Sequence, residues 1–203
     1  MSKKRIFALI GALLAWFAVI SQFVTTYMSV EAGPLVASIG LFNYFTILTN
    51  IIVAISFSLL AMDSNNSMLT TPQSQTAITV YILVVGIIYS ALLRSTWDPQ
   101  GFQRVVDELL HTVVPLAYSL FWFVFSPKGE VKYIQIPKWL VFPAVYLLYS
   151  LVRGAITDVF PYPFMDVNSL GWTNVMFVCL GLTLFLILIS LLLVWIKRAQ
   201  KGV

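Results

Sequence analysis

The chain carries a single histidine and a single cysteine among 203 residues, and that inventory narrows its chemistry. A bis-histidine haem needs two axial imidazoles, and a zinc site needs three or four nitrogen or sulfur ligands. Histidine-rich di-iron centres fail on the same count, so neither a metal nor a cofactor is expected. The sequence has no G-x-S-x-G elbow, no P-loop and no dinucleotide fingerprint. What remains is a hydroxyl, one imidazole, carboxylates and water. The imidazole is His111, in Leu109-Leu110-His111-Thr112-Val113-Val114-Pro115. The candidate hydroxyls lie in a polar stripe: Asn43, Thr46 and Asn50 recur at i, i+3 and i+7 and so share a helix face, with Thr49 beside them. A threonine hydroxyl is a poor nucleophile until a base removes its proton. Asn43 or Asn50 is the expected donor to an oxyanion, a contact whose loss costs about 2.7 to 4 kcal/mol. Asp107, one turn before His111, is the local candidate to orient the ring, and Thr112 follows it. Pro115 lacks an N–H and its ring crowds the carbonyl four residues back, so the helix is predicted to bend and release the His111 carbonyl. The same residues have a plainer use: small polar side chains commonly bond membrane helices to one another.

These groups must be held by elements that lie in lipid. Hydrophobic residues make up 60% of the chain and charged ones 10%, where a soluble domain carries about 25%. A bilayer core of about 30 Å needs roughly 20 apolar residues of helix. Six runs qualify, at 6–28, 35–62, 77–93, 109–125, 139–156 and 172–196, and the loops between them are too short to fold alone. Continuous Leu-rich runs exclude a barrel, whose strands alternate apolar and polar. The expectation is therefore all-α: one transmembrane bundle of six helices spanning 1–203. A helix starting near Leu35 puts Thr46 about 16 Å in, close to the midplane. Lys3, Lys4 and Arg5 precede an apolar run too long for a cleaved signal, so the first run reads as a retained span.

The net charge of +4 reflects orientation rather than nucleic acid. With six spans, Lys3, Lys4, Arg5, Lys128, Lys132, Lys138, Lys197, Arg198 and Lys201 fall on one side, and Arg94, Arg104 and Arg153 on the other. Nine against three predicts cytoplasmic termini in a multi-pass protein of the cell inner membrane or plasma membrane. Arg94, Asp98, Arg104, Asp107, Glu108, Arg153, Asp158 and Asp166 then gather at the outer ends of spans three to six, with Glu31 in the other outer loop. Tyr149 and Arg153 end span five, before Phe160-Pro161-Tyr162-Pro163-Phe164. Prolines flanking Tyr162 favour extended backbone, read as an aromatic cap. Arg153, with Tyr149 and Tyr162, can contact an anionic group, or Arg153 can snorkel to lipid phosphates. Cys179 lies inside the last span and has no intrachain partner.

Phe45-Thr46-Ile47-Leu48-Thr49-Asn50, Leu110-His111-Thr112-Val113-Val114-Pro115, and Arg153-Gly154-Ala155 with Tyr162-Pro163-Phe164 together resemble a bacterial family of six-span membrane proteins. That family is distantly similar to the animal androgen-induced and androgen-dependent transmembrane threonine hydrolases, which cleave fatty acid esters of hydroxy fatty acids. The resemblance implies a threonine nucleophile at Thr46 and a catalytic histidine at His111, with Thr49 as the fallback hydroxyl. It implies a membrane lipid or fatty acyl ester as substrate and no nucleic acid partner. Two features depart from the animal pattern: Pro115 stands one residue nearer the histidine, and the Tyr-Pro-Phe loop fits the bacterial branch. Two other classes suit the same residues. A small-solute or proton transporter would use His111, Asp107, Glu108 and Arg153 as a path. A non-catalytic lipid-binding protein would use the polar stripe only to join helices.

Overall fold

The computed structural model describes residues 1–29, 33–64, 67–128 and 131–200, so Glu31 and Lys201 lie outside the described residues. Every regular element among the described residues is helical. The chain forms two compact units, Met1–Glu130 and Val131–Val203.

The first unit contains α1 (Lys3–Ser29), α2 (Pro34–Leu41), α3 (Phe45–Ala61) and α4 (Pro72–Ile88). It continues through α5 (Phe102–Glu108) and α6 (Val114–Phe125). Two π-helical turns interrupt it: Tyr89–Leu93 extends α4, and Leu109–Val113 joins α5 to α6. Helix α1 owes its place to small residues. Ala8, Gly11, Ala12, Ala15, Ala18 and Ser21 form its buried face, a pattern that lets membrane helices approach closely. A Cβ on Gly11 would stand 2.6 Å from the Phe57 ring of α3. Phe57 in turn meets Tyr118 and Phe121 of α6 edge-on, with ring centroids 4.8 and 5.4 Å apart. Helix α4 is buried continuously from Gln75 to Ile82 and forms the centre of the unit.

In the second unit, α7 (Ile136–Trp139) and α8 (Val141–Thr157) are followed by α9 (Val167–Ala199). Helix α8 buries Tyr146, Ser150 and Gly154 on one face. The carboxylate of Asp166 caps α9, accepting the Asn168 and Ser169 amides at 2.9 and 3.3 Å. The chain turns sharply at Gly171 (φ 76°, ψ 153°), a backbone conformation that costs a residue with a Cβ. The uninterrupted helix thus begins at Trp172, where the sequence predicts the last span to start.

Five helical stretches are long and apolar enough to cross a bilayer: Lys3–Ser29, Pro72–Leu93, Phe102–Phe125, Tyr133–Thr157 and Val167–Ala199. The predicted second span, 35–62, is corrected by the structure. It divides into α2 and α3 because Phe42 and Asn43 form a turn and Tyr44 is extended (φ −95°, ψ 124°). The N–H groups of Asn43 and Tyr44 close back onto the carbonyls of Gly40 and Leu41 at 3.3 and 3.1 Å. The 17 residues of α3 extend about 25 Å.

Candidate functional site

Thr46 lies in the first turn of α3, and not midway along an unbroken helix. Asn43 precedes α3, so the predicted i, i+3, i+7 face is not formed, although Asn43, Thr46, Thr49 and Asn50 are all buried. Among the described residues, the Thr46 hydroxyl and the Thr46 N–H have no hydrogen-bond partner. The N–H is one of the groups that every helix start leaves without an intrahelical acceptor. One turn on, Thr49 Oγ1 and Asn50 Oδ1 are wholly buried and likewise unpartnered.

In contact with this part of α3 is the π turn Leu109–Val113, and Pro115 accounts for it. With no N–H at 115 and a ring against the preceding turn, the α ladder cannot continue. It widens, and the Val114 N–H reaches back five residues to the Leu109 carbonyl. The predicted bend therefore takes the form of a bulge. The carbonyl that finds a new donor is that of Leu110: Asn50 Nδ2 donates to it at 3.2 Å and to the Thr46 carbonyl at 2.8 Å. One side-chain amide thus ties the first turn of α3 to the residue before His111. This corrects the expectation that Asn50 serves an oxyanion, because both of its N–H groups are already engaged. The His111 carbonyl points at Gly86 of α4, where an added Cβ would come within 3.1 Å of it.

His111 is mostly buried. Its Nδ1 sits 3.0 Å from the Asp107 carbonyl and 3.1 Å from Asp107 Oδ1. Both atoms accept, so Nδ1 carries the hydrogen, and Nε2 is the basic nitrogen of the neutral ring. The second Asp107 oxygen accepts from the Tyr89 hydroxyl. The Tyr89 ring lies flat on the imidazole, with centroids 3.8 Å apart and planes at 14°. Tyr89 begins the other π turn, in which the Arg94 N–H bonds the Tyr89 carbonyl at 2.8 Å. Sequence reasoning passed over it because one tyrosine in an apolar run looks like ordinary packing; no spacing marks it.

Thr112 turns away from this group. Its hydroxyl donates to Glu108 Oε2 at 2.7 Å and accepts from Arg94 at 3.0 Å. Arg94 and Glu108 form a two-pronged ion pair at 2.5 and 3.1 Å on the half-exposed rim, and the Glu108 hydrogen bond raises the Arg94 guanidinium above its ordinary value. Surface pairs contribute about 0 to 1 kcal/mol. Arg94 also covers the Tyr89 ring, 5.2 Å from its centroid.

The three predicted anion-contact residues belong to the second unit. Arg153 donates to the Val159 carbonyl at 3.2 Å, which closes the end of α8. Tyr149 is exposed. Tyr162 is extended (φ −135°, ψ 142°) and stacks on Phe164, with centroids 5.1 Å apart. Among the described residues, no three His, Cys, Asp or Glu side chains gather as a metal site would require. In comparisons with known proteins, no family model, curated protein or solved structure matches the chain.

Proposed function

We propose that the chain is a six-span membrane protein with cytoplasmic termini that hydrolyses a lipid-like ester, with Thr46 as nucleophile and His111 as base. The observation that carries this reading is the pairing of two half-sites through Asn50. On one side is a buried threonine hydroxyl with no partner; on the other is an imidazole whose Nδ1 is committed to Asp107. The resemblance in the segments around Thr46 and His111 supports it independently.

The chemistry follows from those atoms. His111 Nε2 takes the Thr46 hydroxyl proton as Oγ1 attacks the ester carbonyl carbon, and Nδ1 keeps its hydrogen on Asp107. The carbonyl oxygen becomes an oxyanion beside the Thr46 N–H, at the positive end of α3. Collapse breaks the bond to the alcohol oxygen, which leaves with the proton from Nε2. Water then gives a proton to Nε2, attacks the acyl-threonine, and releases the carboxylic acid and the free hydroxyl. The oxyanion support assigned to Asn50 by spacing passes here to a backbone amide.

Purified protein is tested against a fatty acyl ester and with a fluorophosphonate probe for activated hydroxyls. Thr46→Ala and His111→Ala are each expected to lower cleavage by about 1,000-fold or more and to abolish labelling at Thr46. Full activity in both variants overturns the reading, and labelling that moves to Thr49 reassigns the nucleophile. One observation favours a second class. The break before α3 leaves a helix start open within an apolar segment, a geometry that transporters use for anions. That reading expects His111-dependent solute or proton flux in liposomes without covalent labelling.

A further inference from the structure

We infer that Tyr89 is the positioning residue for His111, holding the imidazole in one plane and one tautomer. The inference rests on the hydrolase reading for its consequence in rate, but its geometry stands without it. Two separate contacts converge. The ring of Tyr89 lies on the face of the imidazole at 3.8 Å and 14°, which blocks rotation about the Cβ–Cγ bond of His111. Its hydroxyl donates to Asp107 Oδ2, which leaves Oδ1 turned to Nδ1. An unanchored carboxylate would swing freely about its own terminal torsion, which is broad. With one oxygen held from α4's extension and the other on His111, Asp107 has a single orientation.

The backbone explains why Tyr89 can reach both groups. Its carbonyl accepts from Arg94 five residues on, so the wide turn starts at Tyr89 itself, just as the other wide turn surrounds His111. Gly86, one turn before Tyr89, removes the side chain that would otherwise hold α4 off the His111 carbonyl. Stack, hydroxyl contact and close helix approach therefore arise on one short piece of chain, 86–89. The charged groups around the pair are Asp107, Arg94 and Glu108. Arg94 and Glu108 neutralise each other on the rim, so the Asp107 carboxylate is the charge that faces Nδ1.

Because His111 is the only histidine in the chain, its ring nitrogens can be read directly by 15N NMR of histidine-labelled full-length protein in nanodiscs. The wild type is expected to show one tautomer, protonated at Nδ1, with a hydrogen-bonded Nδ1 proton signal. Tyr89→Phe keeps the stack and loses the hydroxyl, so the Nδ1 proton signal should move while the tautomer persists. Tyr89→Leu loses both contacts, and the two nitrogen signals should move toward each other as tautomers mix. In ester cleavage, Tyr89→Leu should lower kcat by about 100-fold with KM nearly unchanged, and Tyr89→Phe should fall between it and the wild type. Wild-type ring signals in Tyr89→Leu overturn the inference whatever the activity. Shifted ring signals in a protein whose wild type cleaves no ester uphold the positioning and remove the hydrolase reading instead.

Discussion

Asn50 shows how much one side chain can decide. Its two N–H groups serve two carbonyls, that of Thr46 in the first turn of α3 and that of Leu110, which the wide turn before Pro115 releases. Replacing it with Leu leaves the Leu110 carbonyl buried and unpaired, at a cost of about 1 to 3 kcal/mol. Thermal unfolding in detergent should record that loss. Pro115→Ala returns an N–H to the turn, so Asn50→Leu should cost less in that background. A double-mutant cycle reads the coupling directly, and a zero coupling energy would show that the two residues act separately. Thr46, His111 and Asp107 were legible as candidates because polar groups in apolar runs are rare and each type has a definite chemistry. The assignment of Asn50 to an oxyanion failed for a physical reason. Sequence gives the donor but not the competing acceptor, and here one acceptor is a carbonyl uncovered by a proline sixty-five residues away. Tyr89 was illegible because its role depends on a contact between helices, with no pattern along its own.

At the scale of elements, apolar run length located most helices but could not find the break at 42–44. Phe42, Asn43 and Tyr44 contain neither Gly nor Pro, and the run around them is apolar enough on average to read as one span. Gly86 is a second quiet determinant. Gly86→Ala would place a Cβ 3.1 Å from the His111 carbonyl and 3.3 Å from Pro115 Cβ, which forces the wide turn to give way. We expect Gly86→Ala to lower ester cleavage more than it lowers stability, as measured by activity and thermal unfolding side by side. The start of α9 carries a pH dependence. Hydrogen bonding from Ser169, with the Ser169 and Asn168 amides, holds the Asp166 carboxyl below its ordinary value. A depressed folded-state value means that the cap is fully present above the unfolded value near 4 and is lost as pH falls through the folded one. The protection of amides 167–170, taken against the intrinsic exchange rate at each pH, should therefore fall at acid pH in the wild type. In Asp166→Ala it should already be low at neutral pH.

For the whole molecule, composition and run length suffice for a helical, multi-pass chain, and five stretches meet the length for crossing. The sixth crossing and the sidedness are part of the proposed reading, carried by nine basic residues against three. The lone cysteine makes that reading easy to check. In a Cys179→Ser background, single cysteines at Ser2 and Lys128 should react with an impermeant thiol reagent only after the membrane is opened, and one at Gln100 should react in intact cells. Reaction of Ser2 and Gln100 from the same side would reverse or remove the proposed topology.

The wide turn at 109–113 also preserves the angular register of α6, the helix that follows it. It absorbs one residue more than an ideal α-helix, and a single residue corresponds to about 100° of rotation. Closing the ladder normally with that residue still in place would swing α6 about its axis by that angle. Tyr118 and Phe121, now enclosed by Phe57, would be turned out of the interior.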